Sequence, residues 1–199
     1  MRRGRLEAFS DGVLAIVITI MVLEMKIPRA GAEWSALVPV LPLFGSYVLS
    51  FVYLAIYWNN HHHLMHSVER VSAGILWTNM HLLFWLSLVP FATAWVGANR
   101  FASAPTVLYG GVLLMAGVAY RLLQRAIVRA HGADSLLAVA LGRDVKGTAS
   151  LVVYLLALPL AFAVPWLADV LYVLVACMWL LPDRRIEKAL RAPGSPDSP

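Results

Sequence analysis

The chain has 199 residues, of which 60% are hydrophobic and 14% are charged, and its mean hydropathy is +0.73. A soluble domain of this length needs a more polar exterior, so the composition excludes that class and indicates a membrane protein. The net charge of +5 also occurs in nucleic-acid-binding proteins, but basic residues collect on the cytoplasmic loops of membrane proteins, so we expect no nucleic-acid partner.

Six apolar segments approach the length of about 20 helical residues that a bilayer crossing requires. They are residues 6–27, 36–58, 71–98, 106–125, 148–164 and 166–181. A single helix over the last two would be about 50 Å long, too long for one crossing, and Pro165 offers a break. We therefore predict an all-α fold of six transmembrane helices that closes with a tight helical hairpin. Residues 1–190 form one domain, followed by a short disordered cytoplasmic tail at 191–199.

Basic residues are distributed unequally between the two sides of this predicted bundle. With six spans, 13 of the 16 Lys and Arg residues fall on the side of the termini, and the other side receives only Lys26, Arg29 and Arg100. Such residues favour the cytoplasm. We predict a multi-pass protein with both termini cytoplasmic.

The first segment is the most polar of the six. Its uninterrupted apolar run, residues 12–23, follows Ser10 and Asp11 and precedes Glu24. Charged groups at membrane depth are costly and face other helices or water, so we predict that this helix is central.

Within that helix, four residues recur at positions i, i+3, i+4 and i+7 and share one face: Ile16, Thr19, Ile20 and Leu23. Asp11 faces elsewhere. Ordinary helix packing also produces such a stripe, so the spacing alone leaves its role open.

Motifs in the first half of the chain resemble those of one family. They are RLEAFSDG at 5–12, YWNNHHH at 57–63, LWTN at 76–79 and SLVPFAT at 87–93. Together they resemble bacterial members of the lysosomal potassium channel family, transmembrane protein 175, whose first motif is RxxxFSD. The resemblance covers residues 5–95, and the last three spans match only in hydrophobic layout.

The resemblance implies a homotetramer of six-helix subunits, whose first helices line a pore around the central symmetry axis. It implies a leak-like cation channel, modestly selective for potassium over sodium, and not an enzyme. Potassium and other monovalent cations are then the permeant partners, with no cofactor, and the lipid bilayer is the plasma membrane of a bacterium. The sequence agrees in having no TVGYG-type filter.

Mapped onto the family, the pore constriction falls on Ile16, with Ile20 and Leu23 above it and Thr19 as the polar pore-facing residue. This is the stripe that the spacing indicates. Four copies of Ile16 form a hydrophobic ring, and such rings gate by dewetting.

We expect a structural polar network to anchor the amino-terminal end of the first helix to the other helices, because a buried carboxylate needs partners. Its expected members are Arg5, Ser10, Asp11, Trp77, Asn79 and His81. The histidines after the second span are alternative partners.

Two other interpretations stay open. The histidines at 61–63 and 66 suggest a membrane-embedded metalloprotein, since His62 and His66 have the i, i+4 spacing that chelates zinc. No HExxH motif accompanies them, so we favour packing and hydrogen bonding and expect no metal. A secondary transporter is the other alternative; Pro90 and Pro159 are candidate helix breaks, but the internal repeat typical of transporters is missing.

Overall fold

The computed structural model describes residues 2–28, 33–132 and 144–180, and within these ranges the chain is helical with no strand. The elements are α1 (Arg3–Leu23), a 3-10 helix (Trp34–Val40), α2 (Leu41–His66), α3 (Ala73–Ser87), α4 (Val89–Ala98), α5 (Ser103–His131), α6 (Val145–Ala163) and α7 (Pro165–Leu180). The predicted tail at 191–199, the basic cluster after 181, Arg29 and Arg143 lie outside the described residues.

The predicted all-α fold of six spans is confirmed. Five helical stretches are long and apolar enough to cross a membrane, and they are Arg3–Leu23, Trp34–His66, Ala73–Ala98, Ser103–His131 and Val145–Ala163. The shorter apolar helix Pro165–Leu180 is the sixth. The predicted hairpin is also present, because α6 ends at Ala163, α7 begins at Pro165, and the two pack together.

Two helices extend beyond the predicted spans. The second span was expected to end at 58 and the fourth at 125, whereas α2 continues to His66 and α5 to His131. Hydropathy marks where the chain leaves the hydrocarbon, but helical hydrogen bonds continue wherever side chains still pack. The motif at 57–63 therefore lies inside α2, and its histidines point from a helix rather than from a loop.

The third span consists of two helices, because Leu88 separates α3 from α4. Pro90 lies in the first turn of α4, where its missing N–H costs nothing. If α3 continued into α4 as one regular helix, the ring of Pro90 would clash with the carbonyl of the preceding turn. Pro159 lacks this effect, since α6 runs through it. Of the two candidate breaks, only Pro90 interrupts a span.

Helix α1 packs on one side of the bundle, against α2, α3 and α4. Its buried side chains recur every three or four residues and are Leu6, Ser10, Leu14, Val17 and Met21. This spacing gives one continuous buried face, so the opposite face of α1 points away from the protomer.

Candidate ion pathway and its polar support

The face of α1 that points away from the bundle carries the predicted stripe. Ile16 is 58% exposed, Ile20 41% and Leu23 79%, and Thr19 is exposed as well. The structure thus brings the four predicted pore residues onto one surface, as helical spacing requires. Their assignment as pore and gate residues stays a prediction.

Beside this stripe lies an open groove of about 450 Å³. Ile16, Ile20 and Glu24 form part of one wall, and Pro90 and Phe91 form part of the other. The groove spans the break between α3 and α4, since Ser87 and Pro90 on either side of Leu88 both line it. The stripe and the groove together form one largely apolar surface on the outside of the protomer.

Thr19 is the polar member of the stripe, and its hydroxyl is already oriented. Its Oγ1 lies 2.9 Å from the carbonyl oxygen of Ile16 and 3.1 Å from that of Ala15, to which it donates. With the proton held by the helix, the lone pairs of Oγ1 are available on the exposed side. Thr19 therefore presents an acceptor, which suits a cation rather than an anion.

Behind the stripe, α1 is tied to α2 and α3 by three buried side chains. Asn79 Nδ2 donates to Ser10 Oγ at 3.0 Å, and Asn79 Oδ1 lies 2.7 Å from His61 Nε2. Ser10 Oγ also donates to the Leu6 carbonyl at 2.9 Å. Because Oδ1 only accepts, Nε2 of His61 carries the proton. This Ser10–Asn79–His61 network fixes the rotation of α1 about its own axis.

Of the six residues expected in one network, the structure joins Ser10 and Asn79. Arg5 and Trp77 are exposed, and His81 accepts from Trp85 within its own helix at 3.3 Å. Trp77 and His81 each lie two positions from Asn79, and residues two apart point to different sides of a helix. The six residues were grouped because they lie at similar membrane depth. Trp77 and His81 nevertheless lie on other sides of α3 than Asn79 and do not join its network.

Asp11 has a different partner from the expected third span, because it accepts from Trp58 Nε1 on α2 at 3.0 Å. His61 was considered only as an alternative partner. The signal for it lies in α2, since His61 follows buried Leu54 by seven residues and precedes buried Leu64 by three. That spacing places it on the buried face.

A second polar cluster, which the sequence did not indicate, lies deeper behind α1. Ser50 Oγ is 2.6 Å from Thr93 Oγ1 and 2.9 Å from Tyr109 Oη, so α2, α4 and α5 meet there. Thr93 Oγ1 also donates to the Val89 carbonyl at 2.7 Å. These small buried hydroxyls are satisfied by one another, which stabilises the wall that α1 packs against.

Two further polar residues of α1 contact the end of α2. Arg3 Nη1 donates to the His66 carbonyl at 3.2 Å, and Glu7 lies beside two histidines. Its Oε1 is 3.1 Å from His62 Nδ1, and His62 Nε2 is 3.1 Å from His66 Nε2. These three residues are the candidate metal ligands among those that the structure describes.

The sequence is similar to those of known potassium channels. The family model described as endosomal/lysosomal potassium channel TMEM175 matches residues 5–90. A potassium channel of Chryseobacterium sp. is 51% identical over 191 residues, which are 96% of this chain and 99% of that protein. The chain belongs to the TMEM175 family.

Two further similar proteins agree with this assignment to the TMEM175 family. A potassium channel of Streptomyces collinus is 35% identical over 60% of this chain and 62% of its own. The crystal structure of a lysosomal potassium-selective channel TMEM175 homolog from Chamaesiphon minutus matches with a TM-score of 0.77 and 29% identity, over 92% of this chain and 97% of that one. The family resemblance inferred from the motifs is thus confirmed, and the relatives are named as channels, not enzymes.

The matched TMEM175 region, residues 5–90, contains α1, α2, α3 and the start of α4. It therefore includes both the exposed stripe and the Ser10–Asn79–His61 network. The part of the chain that carries the family match is the part that positions α1.

Proposed function

We propose that this protein is a potassium-permeable cation channel, a homotetramer whose four α1 helices surround a central pore. The observation that carries the proposal is the exposed stripe of Ile16, Thr19, Ile20 and Leu23 on a helix whose other face is locked by the buried network. Membership of a potassium channel family supports the same function.

Facing lipid would suit α1 poorly. Its apolar run, residues 12–23, is shorter than the hydrocarbon thickness requires, and exposed Glu24 follows it directly. A position at a symmetry axis resolves this mismatch, since neighbouring copies cover the isoleucines and water reaches the carboxylates.

The stripe divides into a gate and a coordinating residue. A ring of Ile16 side chains makes a narrow apolar neck, which excludes ions because it offers nothing in place of their hydration water. Thr19 offers one hydroxyl oxygen per subunit to a partly dehydrated cation. Four such oxygens give a modest preference for potassium over sodium, with leak-like conduction when the neck is wide enough.

We also propose that the termini are cytoplasmic and that the membrane is the bacterial plasma membrane. Described basic residues that support this orientation lie at the start of α1, after the end of α2 and toward the end of α5, and they are Arg2, Arg3, Arg5, Arg70, Arg121, Arg125 and Arg129. Lys26 and Arg100 lie at the opposite ends of their helices. The positive-inside rule then places the first group in the cytoplasm.

The test uses the full-length protein in liposomes with potassium, sodium and caesium gradients under voltage clamp. Ile16→Asn hydrates the neck and raises cation flux about tenfold, equivalent to lowering a barrier by about 1.4 kcal/mol. Ile27→Asn is the matched control, because Ile27 is 86% exposed beyond the end of α1 and its replacement leaves flux unchanged.

Unchanged flux in Ile16→Asn, with normal assembly, would remove Ile16 from the gate. The break at Leu88 is the one feature that favours a transporter, since transporters use interrupted helices. Saturable flux that follows a proton gradient, in place of ohmic single-channel currents, would establish that alternative and reject the channel.

A further inference from the structure

Glu7, His62 and His66 form a cluster at the amino-terminal side of the bundle, between α1 and α2. One potential ligand atom from each lies within 4.8 Å of the other two. In the ranges 2–28, 33–132 and 144–180, no other group of three histidine, cysteine or acidic side chains comes as close. The cluster shares no residue with the exposed stripe or with the Ser10–Asn79–His61 network, which it adjoins through His61 and Ser10.

Two rigid helices hold these residues. His62 and His66 are one turn apart on α2, and their ring centroids are 4.6 Å from each other. Glu7 is one turn before Ser10, whose hydrogen bond with Asn79 fixes α1. Sites on packed helices keep their geometry better than sites on loops, so the three ligand groups are already arranged.

The distances suit a transition-metal ion. Around tetrahedral zinc, with bonds of 2.0–2.1 Å, neighbouring ligand atoms are about 3.3 Å apart. Glu7 Oε1 to His62 Nδ1 and His62 Nε2 to His66 Nε2 are both 3.1 Å, but these contacts use opposite nitrogens of His62, so only one of the two can belong to the ligand set of a single ion. The His62 side chain is 41% exposed, so its ring has room to turn and direct one nitrogen toward the position between both partners.

We propose that Glu7, His62 and His66 bind one divalent transition-metal ion of the zinc class in each protomer, with solvent at the fourth position. Two imidazole nitrogens and one carboxylate oxygen form a ligand set that such ions bind well. Binding replaces the hydrogen bond between the two histidines, because a nitrogen that coordinates metal cannot also hold a proton, and each neutral ring then carries its proton on the other nitrogen. The ion joins the first two turns of α1 to the last turn of α2.

This proposal reverses the expectation of no metal, for a structural reason. The sequence shows the two histidines at zinc-compatible spacing, but it does not show that Glu7 packs onto the same face. A third ligand on a second helix turns a histidine pair into a chelating site.

The site is tested by titrating chelator-washed, full-length protein in detergent with Co²⁺, whose visible absorption reports tetrahedral coordination. One Co²⁺ binds per protomer, and Zn²⁺ displaces it. Affinity falls about 100-fold in the His62→Asn/His66→Asn double variant and about tenfold in Glu7→Gln. His63→Asn is the matched control, since it removes the neighbouring histidine outside the cluster and leaves affinity unchanged.

Two outcomes would overturn the site. Wild-type protein could bind Co²⁺ no more tightly than the double variant, which would show that Glu7, His62 and His66 contact one another without holding an ion. Alternatively, His63→Asn could weaken binding as much as the double variant, which would show a different ligand set. Glu7→Gln preserves side-chain shape and keeps the test valid if the double variant does not fold.

A consequence for conduction rests on the proposed function. Because α1 carries the stripe, an ion that fastens its first turns to α2 restrains the pore-lining helix. Saturating Zn²⁺ on both sides of the liposomes lowers potassium flux in wild type and in His63→Asn, but not in the double variant. If potassium flux were unchanged with Zn²⁺ bound, the proposed restraint on α1 would be rejected, but the metal site and the channel would stand. If wild type and all variants showed no potassium flux even without Zn²⁺, the proposed channel function itself would be rejected.

Discussion

The helices α1–α4 and the helices α5–α7 differ in the side chains that dominate their buried contacts, although hydrogen bonds such as that from Trp179 Nε1 to Ser150 Oγ at 2.8 Å also join helices of the second group. In the first group, small buried polar side chains such as Ser10, Ser50 and Asn79 join helices by hydrogen bonds. In the second, buried tyrosines pack against one another and against glycine. Tyr172 has its ring centroid 5.9 Å from that of Tyr109 and 6.2 Å from that of Tyr154.

The first group therefore contains the contacts that orient α1, whereas the second group mainly fills the core. Hydrogen bonds between Asn79, Ser10 and His61 have one geometry, so they fix the rotation of α1 and with it the direction of the exposed stripe. Aromatic packing fills volume with less directional demand. Large α1 motions are therefore expected to involve the first group, while α5–α7 act as a scaffold.

The largest effect is expected at the centre of the polar network. Asn79→Leu keeps the side-chain size but leaves His61 Nε2–H buried without its acceptor, at a cost of about 3 kcal/mol in the free energy of unfolding. Denaturant-induced unfolding in detergent, followed by circular dichroism, measures this change. Asn59→Leu is the matched control, because Asn59 is exposed on α2. Equal losses in both variants would show that the network does not stabilise α1.

An intermediate effect is expected in the scaffold. A methyl group on Gly110 would overlap the Tyr172 side chain, so Gly110→Ala destabilises the fold by about 2 kcal/mol through overpacking. Its neighbour Gly111 has open space at the same point, and Gly111→Ala is neutral or slightly stabilising. Thermal midpoints of the two variants give the comparison. A Gly110→Ala variant as stable as wild type would mean that Tyr172 moves easily and that the scaffold is not tightly packed.

The smallest effect on stability is expected in the stripe itself. Thr19→Val removes a hydroxyl from an exposed position, so the free energy of unfolding changes by less than about 0.5 kcal/mol. Ion preference changes instead, since the pore loses its oxygen ligands and the potassium-to-sodium permeability ratio falls toward one. Reversal potentials under bi-ionic conditions measure this ratio. A ratio equal to that of wild type would assign selectivity to another residue.

Much of the candidate site could be predicted from the spacing of residues along the sequence. The exposed face of α1 is predicted by helical spacing alone, because a rigid helix cannot present Ile16 and Ile20 on different sides. The separation of Trp77 and His81 from Asn79 follows from the same rule, although equal membrane depth suggested grouping them. The break at Leu88 was open to prediction from Pro90, whereas the continuity of α6 through Pro159 was not.

By itself, the sequence determined the number of spans, the final hairpin and the residues that share the exposed face of α1, because hydropathy sets membrane depth and a 3.6-residue period sets the face. Only the tertiary structure decided which faces meet. Asn79 contacts His61, Asp11 contacts Trp58, and Glu7 approaches His62, all across different helices. Such pairings depend on how each helix is rotated and shifted against its neighbours, and no local pattern in a single helix encodes that relation.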